Sequence, residues 1–347
     1  MNSSLRLVLL TVLAMLAFAG NSLLCRIALR DTAIDAATFT AVRIASGALT
    51  LAVILAARRT AIGSFQGQFQ SLAAPVLGAA AIRDAILTAG VHASEVDEVY
   101  MGCCLMAGIG QAPARQALLA AGLPDSVPAT TLTKMCGSGM KTVMLAHDQL
   151  LAGSASLLVA GGMESMSGAP YLLPAARSGQ RLGHGQMLDH MFLDGLQDAY
   201  DGQLMGVHAE ATAQEMGFTR AEQDAYALAS VQRAQAAVVQ GRFQDEVSPV
   251  AVRAQGRSAV QALHELRTDE TPGLCRPEKI PTLKPAFARP GTDGSAATGT
   301  ITAASSASIS DGAAALVLTR DSTARSRDWQ PLARIVGHST HAGPPSR

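Results

Sequence analysis

Lys134-Met135-Cys136-Gly137-Ser138-Gly139-Met140 is the segment whose residue types point most directly to chemistry. The cysteine falls between a predicted strand, Val127–Thr133, and a predicted helix, Gly139–Leu151. At a helix N-terminus, unpaired N–H groups and the helix dipole favour negative charge on sulfur. The glycines that follow let a substrate carbonyl approach the backbone closely. A nucleophile exposed at a strand-to-helix bend is a recurrent arrangement for covalent catalysis. The plainer alternative is a small apolar cysteine packed behind a tight turn, and spacing alone leaves both open.

The surrounding sequence must supply the elements that hold such a bend. Ala52–Ala57 suits a buried strand, although it also continues the apolar stretch before it. Leu77–Ala89 places apolar residues at helical spacing, Val96–Leu105 reads as a strand and Gln111–Ala121 as a helix. Ser156–Gly161 and Ala313–Thr319 are predicted buried strands. Thr219 with Glu222 forms a capping box ahead of a long helix ending near Gln240. Gly and Ser crowd Pro290–Ser310, which is predicted as loop. Strands alternating with helices imply parallel β-α units and an α/β fold class.

Composition narrows the function. The 347 residues suffice for two ordinary domains and a sizeable core. The 27 Lys+Arg balance 27 Asp+Glu, which argues against capture of nucleic acid by charge. Aromatics are only 4% and glycines number 32, favouring close backbone packing over a base-stacking surface. The five cysteines are odd in number and show no paired CxxC repeat, so neither a disulfide framework nor a structural zinc site is expected, and no metal. Free thiols in a reducing compartment leave room for a catalytic one.

The N-terminal residues differ in texture. Leu7–Cys25 carries no charge and has the length needed to span a bilayer core of roughly 30 Å. A second apolar stretch, Ala36–Ala57, is interrupted by Arg43, which is costly in a spanning helix unless it faces protein. A secretory signal, with Arg6 before the run and Ala17-Phe18-Ala19 as a cleavage site, fits less well with the long run and the second segment. The stretch MLAFAGNSLLCRIALRDTAIDAATFTAVRIASGALTL resembles the opening two helices of an EamA-type drug/metabolite transporter. Such transporters need several more spans, and none follows Thr60. The expectation is one or two hydrophobic helices within residues 1–50, with membrane contact through residues 7–57 as an option and no transport path.

The remainder resembles another family. TLTKMCGSGMK looks like the nucleophile segment of thiolases. AARRTAIGSFQG, VDEVYMGCCLMAGIGQAPARQALLAAGLP, LLVAGGMESMSGAPYLL, DGLQDAYDGQLMGVHAEATAQEMG, QDAYALAS, EKIPTLKPAF and GTITAASSASISDGAAALVL resemble further thiolase blocks in family order. The resemblance runs from about Leu51 to His338. Ketoacyl synthases are the nearest rival, but GGMESMS and LKPAF favour thiolase. The resemblance implies a mixed sheet with layered helices. Residues 51–170 would form the nucleophile lobe, 171–310 a loop domain, 311–331 a return to the lobe, and 332–347 the start of a second lobe that is largely absent. It implies acyl transfer between coenzyme A thioesters, no permanently bound cofactor, a cytoplasmic body and a homo-oligomer formed through the first lobe. Cys136 would carry the acyl group. Leu196, Met205, Phe287 and Ile309 would wall the pantetheine and substrate pocket, with plain core packing as their alternative.

Departures from the family pattern bear on activity. Thr133 stands where Asn is usual, Gly273 where some members have Arg, Leu204 where a pocket histidine is found, Ala307 where Ser occurs and Ser305 where Asn is common. The family's Gly-His-Pro histidine, its Cys-x-Gly-Gly cysteine and its Asn-Glu-Ala-Phe segment belong to the second lobe, and the chain stops at His341–Arg347. His338 precedes Ser339 rather than Pro, and His208, Cys275, Cys103 and Cys104 lack the matching contexts. The expectation is a thiolase impaired by truncation; the alternative is an inactive chimeric remnant, tethered to a membrane or not. The apolar face of Gly139–Leu151 is then expected to lie uncovered and favour association.

Overall fold

Apolar runs such as AVILAA and LLVAGG, short and β-branched or small, are what strands buried on both faces require. The computed structural model describes residues 51–253, 263–288 and 299–344, all but Leu51 within the unit Ala52–Arg347. The transporter-like segment 1–50 lies outside the described residues.

In chain order the elements are β1 Ala52–Thr60, β2 Gly63–Ser64, α1 Ala74–Ala89, β3 Glu98–Gly102, α2 Pro113–Ala121, β4 Ala129–Leu132, α3 Ser138–Ala152 and β5 Leu157–Ser165. Then come β6 Tyr171–Leu172, β7 Leu188–Asp189, α4 Met205–Met216, α5 Arg220–Val239, β8 Val247–Ser248, β9 Val250–Arg253, β10 Leu263–Leu266 and α6 Glu270–Leu274. β11 Ser310–Arg320, α7 Asp321–Ser326 and β12 Ala333–Ile335 complete the series.

The main sheet runs β12-β1-β11-β5-β3-β4, with β2 on β11 and β8 beside β1. β3 is parallel to β4 and β5, whereas β11 is antiparallel to β5 and to β1, and β12 is antiparallel to β1. The inference of parallel β-α units therefore holds for β3, β4 and β5 and fails for β11. Helical crossovers link those three strands, but β11 arrives after the long excursion that follows β5, and nothing ties its direction to theirs. The mixed sheet agrees with the layered arrangement expected from the resemblance.

Side chains alternate between the two faces of this sheet. Val53, Leu55, Val99, Met101, Val159, Ala315 and Val317 pack with α1 and α2 residues such as Leu77, Ile82 and Leu118. Ala52, Tyr100, Leu158, Ala160 and Leu318 meet Ala146 and Leu150 of α3 on the other face. Burial pushes the Tyr100 hydroxyl up to about 12, as does its bond to Glu98.

AVILAA is thus a strand inside the sheet, not the end of an apolar helix, so membrane contact through residues 7–57 cannot include Ala52–Ala57. No helix among the described residues is long and apolar enough to cross a membrane.

The segment between β5 and β11 is more thinly buried: α4 buries only Ala213 and α5 only Ala227. Polar ties hold it. The Thr219 capping box forms as predicted, with the Thr219 N–H donating to Glu222 at 2.8 Å. The Glu210 carboxylate accepts the N–H groups of Thr300 and Ile301. Asp269, its side chain 4% exposed, takes a two-pronged bond from Arg59 of β1 at 2.7 and 2.9 Å and also accepts the Ile62 N–H. Burial works against the Arg59 charge, but its bonds to Asp269 and Glu246 raise its pKa above the usual guanidinium value.

Candidate active site

Thr133–Gly137 turn the chain from the C-terminal end of β4 into α3. Met135 adopts φ 47°, a left-handed conformation that costs a non-glycine residue about 1–2 kcal/mol. A local network compensates. The Ser138 hydroxyl accepts the Lys134 N–H at 2.7 Å and donates to the Met135 carbonyl at 2.6 Å. The Ser138 N–H and the Cys104 thiol also donate to that carbonyl, at 3.0 and 2.9 Å, and the Gly137 N–H bonds the Lys134 carbonyl. Cys136 rides on this frame with its residue exposed. The alternative of a cysteine packed behind the turn does not hold.

Glycine decides how close the frame sits to the sheet. A Cβ on Gly102, the last residue of β3, would lie 2.6 Å from the Ser138 carbonyl carbon and 2.8 Å from the Gly139 nitrogen. One on Gly162 of β5 would meet the Gly139 Cα at 3.2 Å. The first turn of α3 therefore rests on strand backbone, where no side chain can be inserted. This places Cys136 at the carboxyl ends of the parallel strands, the usual ligand edge of such sheets.

Glu164 anchors the neighbouring loop. Its carboxylate accepts the N–H groups of Cys104 and Leu105 at 2.8 and 3.0 Å and lies 3.6 Å from the Cys103 sulfur. Burial pushes the Cys103 thiol strongly upward, and the Glu164 charge adds to this. Burial also pushes the Cys104 thiol up, against a bond from Ser138. Both stay protonated thiols, which makes them poor bases. The only sequence signal for Glu164 and Ser138 is their place inside GGMESMS and MCGSGM, with no motif that assigns either a role.

The predicted pocket residues divide. Leu196 and Met205 flank the bridge between Gln197 and Leu204, and the Phe287 ring covers Gly206, where any Cβ would collide with it. These three share one locality. Leu196, Phe287 and Ile309 are half-buried and Met205 is 46% exposed, so none is an ordinary core residue. Ile309 immediately precedes β11. Because Asp311 pairs with Ser165 at the end of β5, Ile309 lies at the same sheet edge as Cys136.

The histidines of the described residues that make side-chain bonds make them elsewhere. His190, which the sequence reading did not single out, bonds Asp194 at 2.6 Å and accepts the Ala107 N–H, so both ring nitrogens are engaged. His208 is mostly buried, 3.6 Å from Asp201. His338 bonds Asp148 at 2.8 Å near the far end of α3, about 15 Å along the helix from its first residue, Ser138. Cys275 follows α6, its carbonyl accepting from Gln235 of α5.

The family profile described as "Thiolase, N-terminal domain" matches residues 52–322. The acetyl-CoA acetyltransferase of Pseudomonas aeruginosa is 45% identical over 289 residues, spanning 83% of this chain and 70% of that protein. The acetyl-CoA acetyltransferase of Escherichia coli K12 is 45% identical over 295 residues, 85% of this chain and 72% of its own. The mitochondrial acetyl-CoA acetyltransferase of Bos taurus is 44% identical over 293 residues, covering 84% and 66% respectively. With its cysteine bend on glycine-packed strands and a match over most of its length, this chain belongs to the thiolase family.

Proposed function

We propose that this chain performs thiolase-type acyl transfer between coenzyme A thioesters, with Cys136 as the residue that carries the acyl group. In the degradative direction the Cys136 thiolate attacks the keto carbon of a 3-ketoacyl-CoA. The bond between that carbon and the adjacent one breaks, and the departing acetyl-CoA carbanion takes up a proton. Free CoA, as thiolate, then attacks the acyl-thioester and restores the cysteine. Carbon–carbon cleavage onto the cysteine sulfur followed by one thioester exchange replaces a single difficult thiolysis. The synthetic direction joins two acetyl-CoA molecules by the reverse steps.

The observation that carries this reading is the exposed Cys136 on a turn held by Ser138 and the Met135 carbonyl. Leu196, Met205 and Phe287, close together and incompletely buried, are assigned the apolar wall for the pantetheine arm, and Ile309 the nearer part of the pocket. The names of the relatives agree with a CoA thioester as substrate. The same reading includes a homo-oligomer built through this lobe, because β4 ends the sheet with one side unpaired among the described residues. Size-exclusion chromatography with light scattering reads that part, and a strict monomer would remove it.

The deciding experiment is intact-protein mass spectrometry after incubation with acetyl-CoA or acetoacetyl-CoA, beside Cys136→Ala. One acetyl group on Cys136, absent from the variant, is the expected result. Folded, unmodified protein would reduce the thiolase likeness to ancestry.

A further inference from the structure

The far end of α3 gathers groups that acyl transfer does not use. His147 is set into the protein, its side chain 9% exposed. The His338 ring meets it edge to face, with centroids 4.9 Å apart and planes at 85°. Between them Asp148 Oδ1 lies 3.3 Å from His147 Nδ1 and 2.8 Å from His338 Nε2. One donor atom from each of the three residues falls within 4.8 Å of the others. Thr340, two residues on, places its hydroxyl 3.9 Å from the Met144 sulfur, so the segment after β12 lies along this end of the helix.

We propose that His147, Asp148 and His338 form a binding site for a late first-row divalent cation, with Zn2+ as the reference ion. A tetrahedral zinc with bonds of about 2.0–2.1 Å holds its donor atoms roughly 3.3 Å apart, close to the 3.3 and 2.8 Å that separate Asp148 Oδ1 from the two imidazoles. Two imidazole nitrogens and one carboxylate oxygen suit zinc, nickel or copper; calcium and magnesium prefer all-oxygen sets. Adjacent helix residues project about 100° apart, and here the Asp148 carboxylate bends toward His147 while the third donor comes from a segment 190 residues away. A bound ion would therefore clasp that segment onto α3. Three protein donors leave a fourth position for water.

The test is a Zn2+ titration of the full, untagged chain by calorimetry, with His338→Ala, Asp148→Asn and His208→Ala beside it. One ion per chain is expected, weakened at least about ten-fold by His338→Ala and by Asp148→Asn, the loss that even an outer-shell partner can produce. Both altered side chains reach solvent, and circular dichroism confirms that the variants fold. His208→Ala is expected to leave binding unchanged, since His208 belongs to a separate group with Asp198 and Asp201. Zinc should also slow proteolytic cleavage of the segment around His338 in the parent and not in His338→Ala. No stoichiometric binding at micromolar zinc, equal binding by His338→Ala, or loss in His208→Ala would each overturn the assignment.

Discussion

The two ends of α3 are built on opposite principles. At the N-terminal end, position is fixed by backbone: Gly102, Gly139 and Gly162 bring main chain against main chain, and the Met135 carbonyl gathers several donors. At the C-terminal end, position is fixed by side chains, with His147, Asp148 and His338 converging from two segments across a partly exposed surface. The first design leaves no room for substitution but sets a sulfur atom within narrow limits. The second tolerates change one residue at a time. Groups that must meet a reacting carbon gain from the former, and groups that bind or release reversibly gain from the latter.

Substitutions sharpen this contrast, and the largest effect belongs to the nucleophile itself. Cys136→Ala should abolish acyl labelling while shifting stability by no more than about 0.5 kcal/mol, as expected for an exposed side chain; mass spectrometry and a thermal melt read the two together. Gly102→Ala should follow, destabilising by about 1–3 kcal/mol through the clash with Ser138 and slowing labelling as well. A melt unchanged from the parent would show that backbone contact does not set the bend. Ser138→Ala should cost about 1–2 kcal/mol, because it strips a bond from the Lys134 N–H and another from the Met135 carbonyl. Met135→Gly should stabilise by up to about 1 kcal/mol, by relieving the left-handed backbone, at some loss of labelling rate if the turn loosens.

The smallest effect is at the other end. The Asp148 carboxyl is held below its ordinary value, so its contribution is present above the unfolded carboxylate range and is lost as pH falls through the lower folded value. Asp148→Asn should lower the melting temperature slightly at neutral pH and converge on the parent in acid, flattening the acid limb of the profile. An unaltered acid limb would mean that the imidazole bonds contribute nothing in solution.

The sequence disclosed these two ends unequally. The bend was legible because strand, cysteine, glycines and helix are contiguous, and local propensity and turn chemistry agree there. The capping box at Thr219 and Glu222 was legible for the same reason. The direction of β11 was not, since apolar alternation says a strand is buried without saying which way it runs beside β5. The glycine contacts of Gly102 and Gly162 need three strands and a helix in place before they mean anything. The imidazole pair was invisible to spacing: two donors are adjacent and the third is far along the chain, unlike any short ligand motif. His190 and Asp194 form an i, i+4 pair, a detectable spacing, but on a turn whose helical form was not anticipated.

The strand order carries a consequence for how the protein is made. β1 is the first strand of the sheet to be synthesised, yet its long antiparallel pairing is with β11, with Ala52 against Arg320 and Arg59 against Ala314, about 260 residues later, and β12 on its other side comes later still. At the roughly 5–20 residues per second of translation, β1 waits on the order of 10–50 s before its neighbour leaves the ribosome. Throughout that interval α1 can cover one face of this run of Ala, Val, Ile and Leu, but its hydrogen-bonding edge toward β11 stays open. The nascent chain is thus a natural client for holdase chaperones at its β1 segment, and slowing synthesis should reduce the soluble yield of this protein more than that of one whose first strands pair locally.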